Sequence, residues 1–195
     1  MFESTRTQLA KLTAALDAGA PDPAGSLALV AELEGLAQAV AAAQQRAMVA
    51  FEDAQRDADR SDPVAVQAGR CGATVPFEVA QVLHVGTGTA QRRLATARTL
   101  VGDFPELLAL IGGGDGAGPV SVFGVKVVAE ACAGLEVGQR RILDVDLADE
   151  IRNSRRAYTV GLLRTAATRR ALALDPQAAT ERPRRASQPA RCPTH

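Results

Sequence analysis

This chain predicts an all-α, multi-helix protein, and three observations carry that expectation. Hydrophobic residues make up 47% of its 195 positions, yet only 3% are aromatic and Trp is absent. Such a core must be built from Ala, Leu and Val, which suits closely packed helices better than a sheet sandwich. Apolar residues recur at three- and four-residue steps over long segments, whereas no stretch alternates in the manner of a half-buried strand.

The elements follow in order. A first helix is expected over Thr5–Leu16, ended by the breaker GAPDPAG, so that residues 1–25 form an N-terminal helix and linker. Ser26 is expected to cap a long amphipathic helix reaching about Asp59. Its apolar stripe is Val30, Leu33, Ala37, Val40, Ala47, Phe51 and Ala54, with Glu32, Gln45, Glu52 and Arg56 on the wet side. At about 1.5 Å per residue the helix runs near 50 Å, too long for one small partner helix. It either packs along several later helices or pairs with another copy as a coiled-coil-like homodimer, against which Gly35 and the many alanines count. SDPVAVQAGRCGATV reads as a loop or short turn. Residues 76–101 read as a helix-turn-helix-like hairpin: Val79, Ala80, Val82 and Leu83 in a first helix, then HVGTG, then a second helix capped by Thr87 or Thr89. The two glycines of the turn are expected to supply its backbone angles. In the second helix Ala90, Leu94, Ala97 and Val101 form the inner stripe. A short helix over Phe104–Ile111 has Pro105 in its first turn, and the glycine-rich connector 112–119 is expected to be flexible. Ser121 starts the next helix, with Val125, Val128, Ala129 and Cys132 inward; Glu136–Asn153 and Thr159–Leu174 complete a helical domain spanning 26–174. Residues 175–195 hold four prolines and almost nothing to bury, and are expected to be a disordered basic tail.

Charge adds a functional hint. Net charge is zero, but residues 1–150 carry 12 basic and 20 acidic side chains, and residues 151–195 carry 10 and 2. An acidic helical body with a basic end can meet phosphate. On the second hairpin helix Arg92 points away from the apolar stripe, flanked by Gln91 and Arg93, and long donors on such an outer face suit base-edge and phosphate contacts. Gln91, Arg92 and Arg93 are therefore the candidate groove-facing residues. Arg98, Arg155 and Arg156, with Arg164, Arg169 and Arg170, are available for phosphate.

Other chemistry finds little support. The connector 112–119 is not a phosphate loop, because no Gly-Lys-Ser/Thr follows it, and Gln91 stands where a dinucleotide fingerprint after Gly86 and Gly88 needs its third glycine. Asp144, Asp146, Asp149 and Glu150 form an acidic cluster, read as a solvated helix face pairing with Arg140 or Arg152. Ser121 and Ser154 have no base nearby in sequence, and Tyr158 reads as packing against the last helix. Cys71, Cys132 and Cys192 are widely spaced and outside any CxxC pair, which argues against a disulfide framework or a zinc site. No catalytic residue, metal or cofactor is expected. The amphipathic Met1–Leu16 is not a signal peptide, and no run of about 18 apolar residues is expected to span a membrane. The default is cytoplasmic.

The hairpin resembles the helix-turn-helix of sigma factors and related regulators. Glu78, Ala80, Leu83, Val85, Gly88, Thr89, Arg93, Leu94, Ala97 and Arg98 match that pattern, while His84 stands where the turn glycine is usual. Over roughly Leu27–Ala179 the chain also resembles an actinobacterial family, the domain of unknown function numbered 222 or 13E12 repeat family. The residues that carry this are the long Ala-rich helix, VAQVLHVGTGTAQRRLATARTLV with FPELLALI, VSVFGVKVVAEACAGL, and the closing ALALDPQAA. The connector GGGDGAGP is longer, and the stretch after Leu135 less arginine-rich, than in that family. The resemblance implies an HNH nuclease module beyond the C-terminal end, which needs a pair of histidines. This chain has only His84 and His195, and RPRRASQPARCPTH reads as out-of-frame GC-rich coding sequence. The expectation is thus a truncated or frameshifted member: a non-catalytic domain that binds double-stranded DNA or assists a nuclease. The alternatives are a scaffolding protein that oligomerises through its long helix, or a gene fragment without function.

Overall fold

The computed structural model describes residues 2–17, 22–111, 120–154 and 156–176. Among them run nine α-helices: α1 (Phe2–Asp17), α2 (Pro23–Arg60), α3 (Pro63–Gln67), α4 (Val75–Val82), α5 (Thr87–Asp103), α6 (Pro105–Ala109), α7 (Val122–Ala131), α8 (Val137–Asn153) and α9 (Val160–Leu174). The one β-type pairing among these residues is an isolated parallel bridge between Ile111 and Val120, on either side of the 112–119 connector. The chain is all-α, as its composition predicts. The connector 112–119, expected to be flexible, the part beyond Pro176 of the segment expected to be disordered, and Arg155 lie outside the described residues.

The helix starts follow local chemistry. Ser121 accepts from the Gly124 N–H at 2.9 Å, Thr159 accepts from Leu162, and Glu136 with Gln139 forms a reciprocal capping box. The long helix departs from expectation. Its cap is Asp22, whose carboxylate accepts from the Gly25 N–H at 2.8 Å, and Pro23 occupies the first turn. The Asp-Pro pair inside the breaker is therefore a helix start rather than a stop, because proline lacks only an N–H that would be unbonded there anyway.

Two cores organise the body. The larger one gathers Leu100 and Phe104 at the end of α5, Leu107 and Leu108 of α6, Val125 and Val128 of α7, Leu143 and Leu147 of α8 and Leu163 of α9. The smaller one is Met48 of α2, Val75, Val79 and Ala80 of α4, and Ala90, Leu94 and Ala97 of α5. Helices α2 and α5 enter both and so hold the hairpin on the body. Helices α7 and α9 pack most extensively, with Gly124 at their closest approach: a Cβ there would come within 2.7 Å of Leu163 Cδ1.

The face that α2 buries is not the one its apolar periodicity selects. Val30, Val40 and Phe51 are 61%, 49% and 38% exposed, Ala37, Ala47 and Ala54 also face solvent, and Leu33 is half-buried. The inner face is Ala42, Met48 and Glu52, with Gln45 and Arg56 half-buried beside them; of the residues expected on the wet side only Glu32 is fully exposed. The reason is polar fastening. Gln38 Oε1 accepts from the Val122 N–H at 3.0 Å, Arg46 donates to the Leu108 carbonyl at 3.1 Å, and Asp59 accepts from the Gly72 N–H. The acceptors and donors of one α2 face satisfy loop and helix-end groups of the body, and no hydrophobicity pattern registers such bonds. By length and composition alone α2 is also apolar enough to cross a membrane, which the sequence reading did not anticipate. Glu32 and Glu34 interrupt its apolar half, and its C-terminal half is docked on the body.

The acidic cluster is not one solvated face either. Asp144 is 1% exposed and accepts hydrogen bonds from the N–H groups of Glu106 and Leu107, capping α6 from α8. Glu150 pairs with Arg170 and accepts from the Tyr158 hydroxyl, and Arg152 joins Asp149 to Glu106; Arg140 turns instead to Asp103.

Candidate nucleic-acid interface

Helix α4 begins after Thr74 with Pro76 in its first turn, and ends in a left-handed cap. His84 has φ +50°, the His84 N–H bonds the Gln81 carbonyl at 3.2 Å, and the Val85 N–H reaches back to Ala80 at 3.0 Å. That pair of bonds is a Schellman motif with His84 at the position normally held by glycine. Gly86 and Gly88, expected to shape the turn, do not: neither has positive φ, and Gly86 (φ −69°) is the N-cap of α5 in extended conformation. Thr87 and Thr89 are likewise not the cap, and no side chain caps α5, whose Thr89 and Ala90 N–H groups bond the Gly86 carbonyl. A left-handed backbone costs a non-glycine residue about 1–2 kcal/mol, part of which glycine returns through unfolded-chain entropy. His84→Gly is therefore expected to stabilise the protein by about 0.5–1 kcal/mol, read as a rise in the urea midpoint. A lower midpoint would show that the imidazole makes a compensating contact.

The inner face of α5 is as its spacing predicts. Ala90, Leu94 and Ala97 are fully buried against α2 and α4, with Leu100 continuing the stripe in place of the half-buried Val101. In α4, Val79 and Ala80 turn inward while Val82 is 78% exposed, contrary to its expected inner role. With the inner face so determined, Gln91, Arg92 and Arg93 all stand in solvent on the second turn of α5. Arg92 donates to the Thr89 hydroxyl at 3.2 Å, an exposed contact within the same turn. The turn itself leaves an open depression of about 490 Å³, bordered by the polar groups of Gln81, His84 and Thr87 and by the apolar Phe77, Ala80 and Val85.

The remaining expected phosphate contacts divide. Arg98 is paired across the fold from an exposed position: its guanidinium forms two bonds to the carboxylate of Glu52, which is 2% exposed and also takes Arg56 at 2.7 Å. The bond to Glu52 raises the Arg98 pKa above its ordinary value, with burial opposing. Arg98 is thus a clamp between α5 and α2, its guanidinium already shared with a carboxylate while its side chain stays exposed. Arg170 is similarly held by Glu150. Arg156, Arg164 and Arg169 are exposed. They belong to α9 and the segment before it, which packs on α7 and α8, whereas the hairpin helix α4 packs on α5 and α2. Among the described residues no hydrogen bond or ion pair links the two basic sets. Glu52 is the residue that sequence reasoning misplaced. Its partner Arg98 lies 46 positions away, and nothing local distinguishes it from the exposed acids of the same helix.

Among the described residues no group of three His, Cys, Asp or Glu side chains lies close enough to hold a metal ion. Compared with family models, curated proteins and solved structures, the chain matches none.

Proposed function

We propose that the α4–α5 hairpin is a non-catalytic DNA-binding element, serving alone or as the accessory of a nuclease. The observation that carries it is the partition of α5: Ala90, Leu94 and Ala97 are fully buried while the adjacent Gln91, Arg92 and Arg93 are exposed. These are two guanidinium forks and a carboxamide on consecutive positions near an uncapped helix N-terminus, the groups and location that read base edges and phosphates. The accessory role comes from the resemblance to the 13E12 repeat family and extends to this chain only as a proposal.

Fluorescence anisotropy on random and GC-rich duplexes tests the reading. Affinity is expected to fall steeply with salt, because phosphate contacts release counterions. Arg92→Ala should weaken binding by about 1–3 kcal/mol when its fork reaches a guanine edge, yet leave stability within about 0.5 kcal/mol, as an exposed arginine contributes little packing. Leu94→Ala acts on the fold instead, lowering stability by about 2–5 kcal/mol through a cavity under α4. Absence of binding by well-folded protein at about tens of micromolar would end the DNA reading. The second reading, a scaffold, is favoured by one specific observation, the exposed apolar face of α2.

A further inference from the structure

We infer that a second copy of this chain covers that face, two α2 helices pairing antiparallel about a two-fold axis between Ala41 and Ala42. From Leu29 to Ala54 every residue reached by alternating four- and three-residue steps is apolar, an unbroken seam over nearly four heptads. None of these positions is buried: the leucines are half-buried and the rest face solvent. Gly35 lies off the seam. Reversed end for end, the seam maps onto itself, with Leu33 opposite Ala50, Leu36 opposite Ala47 and Val40 opposite Ala43; Leu29 and Ala54 form the outermost layer. Every layer then sets a large side chain against a small one, as interdigitation at constant helix separation requires. A parallel pair would put leucines together at one end and alanines at the other, so the two axes would have to diverge.

A second feature fits the same register. Beside the seam a groove of about 400 Å³ opens between α2 and α4, lined by Ala47, Met48, Phe51, Val79, Val82 and Leu83. The antiparallel alignment brings the second copy's Val30, 61% exposed on its own chain, beside Phe51 at the edge of that groove. It also brings the second copy's Glu32 alongside Asp53, the one like-charge contact in the pairing. The inference does not rest on the DNA reading, since association is measured without nucleic acid.

The full chain is expected to sediment as a dimer at about tens of micromolar, and Leu36→Asp to turn it into a monomer with helical content retained. Orientation is read by disulfide trapping in a Cys71→Ser, Cys192→Ser background. Mixing Leu36→Cys chains with Ala47→Cys chains should give the mixed 36–47 disulfide. Glu32→Lys should tighten the dimer several-fold at low salt, because it meets Asp53. Three results would each overturn the proposal: a monomer at about 100 µM, in which α1 or nothing covers the seam; 36–36 and 47–47 disulfides in place of the mixed one; or a monomer that floats with lipid vesicles.

Discussion

Phe104→Ala is expected to lower stability by about 3–5 kcal/mol, a large share of the roughly 5–15 kcal/mol that holds a typical domain folded. Phe104 is among the largest fully buried side chains and stands between two elements, as the C-cap of α5 and the N-cap of α6. Its N–H bonds the Leu100 carbonyl at 3.2 Å and its carbonyl accepts from Leu108 at 3.0 Å, so the backbone around the ring is fastened on both sides. The surrounding core draws on α5, α6, α7, α8 and α9, and helices tied at several points cannot collapse readily into a phenyl-sized void. Urea unfolding should show a lower midpoint at unchanged slope. A loss below about 1 kcal/mol would mean that the neighbouring helices close the cavity after all.

Asp144→Ala should cost about 2–4 kcal/mol, because two N–H groups lose their acceptor and at least one has no route to water. The Asp144 oxygens lie 2.8 Å from the Glu106 nitrogen and 2.9 Å from that of Leu107, and the Leu107 bond is buried. Burial raises the pKa of this carboxyl, the two N–H bonds offsetting only part of the effect. The folded state therefore holds a proton more firmly than the unfolded chain. The stability this contributes is fully present below the ordinary value of 3.8 and is lost as pH rises through the raised one. Glu150 acts in the opposite sense. Arg170 and then Tyr158 lower its pKa, so its contribution is present above the ordinary value of 4.5 and is lost as pH falls through the lowered one. Comparing Asp144→Ala with the parent isolates the first effect: the stability gap between them should be widest in acid and narrow toward neutrality. A gap that widens with pH would place the favoured state of Asp144 on the ionised side.

Helix existence and order were legible in the residues because both are local, except that the short helix α3 (Pro63–Gln67), capped by Asp62, stands where a loop or short turn was expected. Thr159, Glu136 with Gln139, and Ser121 begin their helices as capping chemistry predicts, and the Ala90–Leu94–Ala97 stripe faces inward as its spacing requires. The exposure of Gln91, Arg92 and Arg93 follows from the same periodicity, since a helix that buries one stripe must present the opposite one. The all-α class rests on composition, which no tertiary contact needs to supply.

Tertiary structure alone decided which face of α2 turns inward and which arginines stay available. Periodicity ranks faces by hydrophobicity, but the buried face of α2 is held by Gln38, Arg46 and Glu52, whose partners Val122, Leu108 and Arg98 lie 46 to 84 positions away. A polar group becomes a core residue only when its counterpart is delivered by another element, and that pairing has no local signature. The same limit applies to Arg98, paired with Glu52 although it stays exposed, and to Asp144, which changes from a solvated acid to the cap of α6 once α6 and α8 meet. At His84 the local rule itself was overridden. Glycines two and four residues further on marked the turn, but the Schellman bonds to Gln81 and Ala80 are made where α4 ends, and its end is set by packing of Val79 and Ala80 against α5.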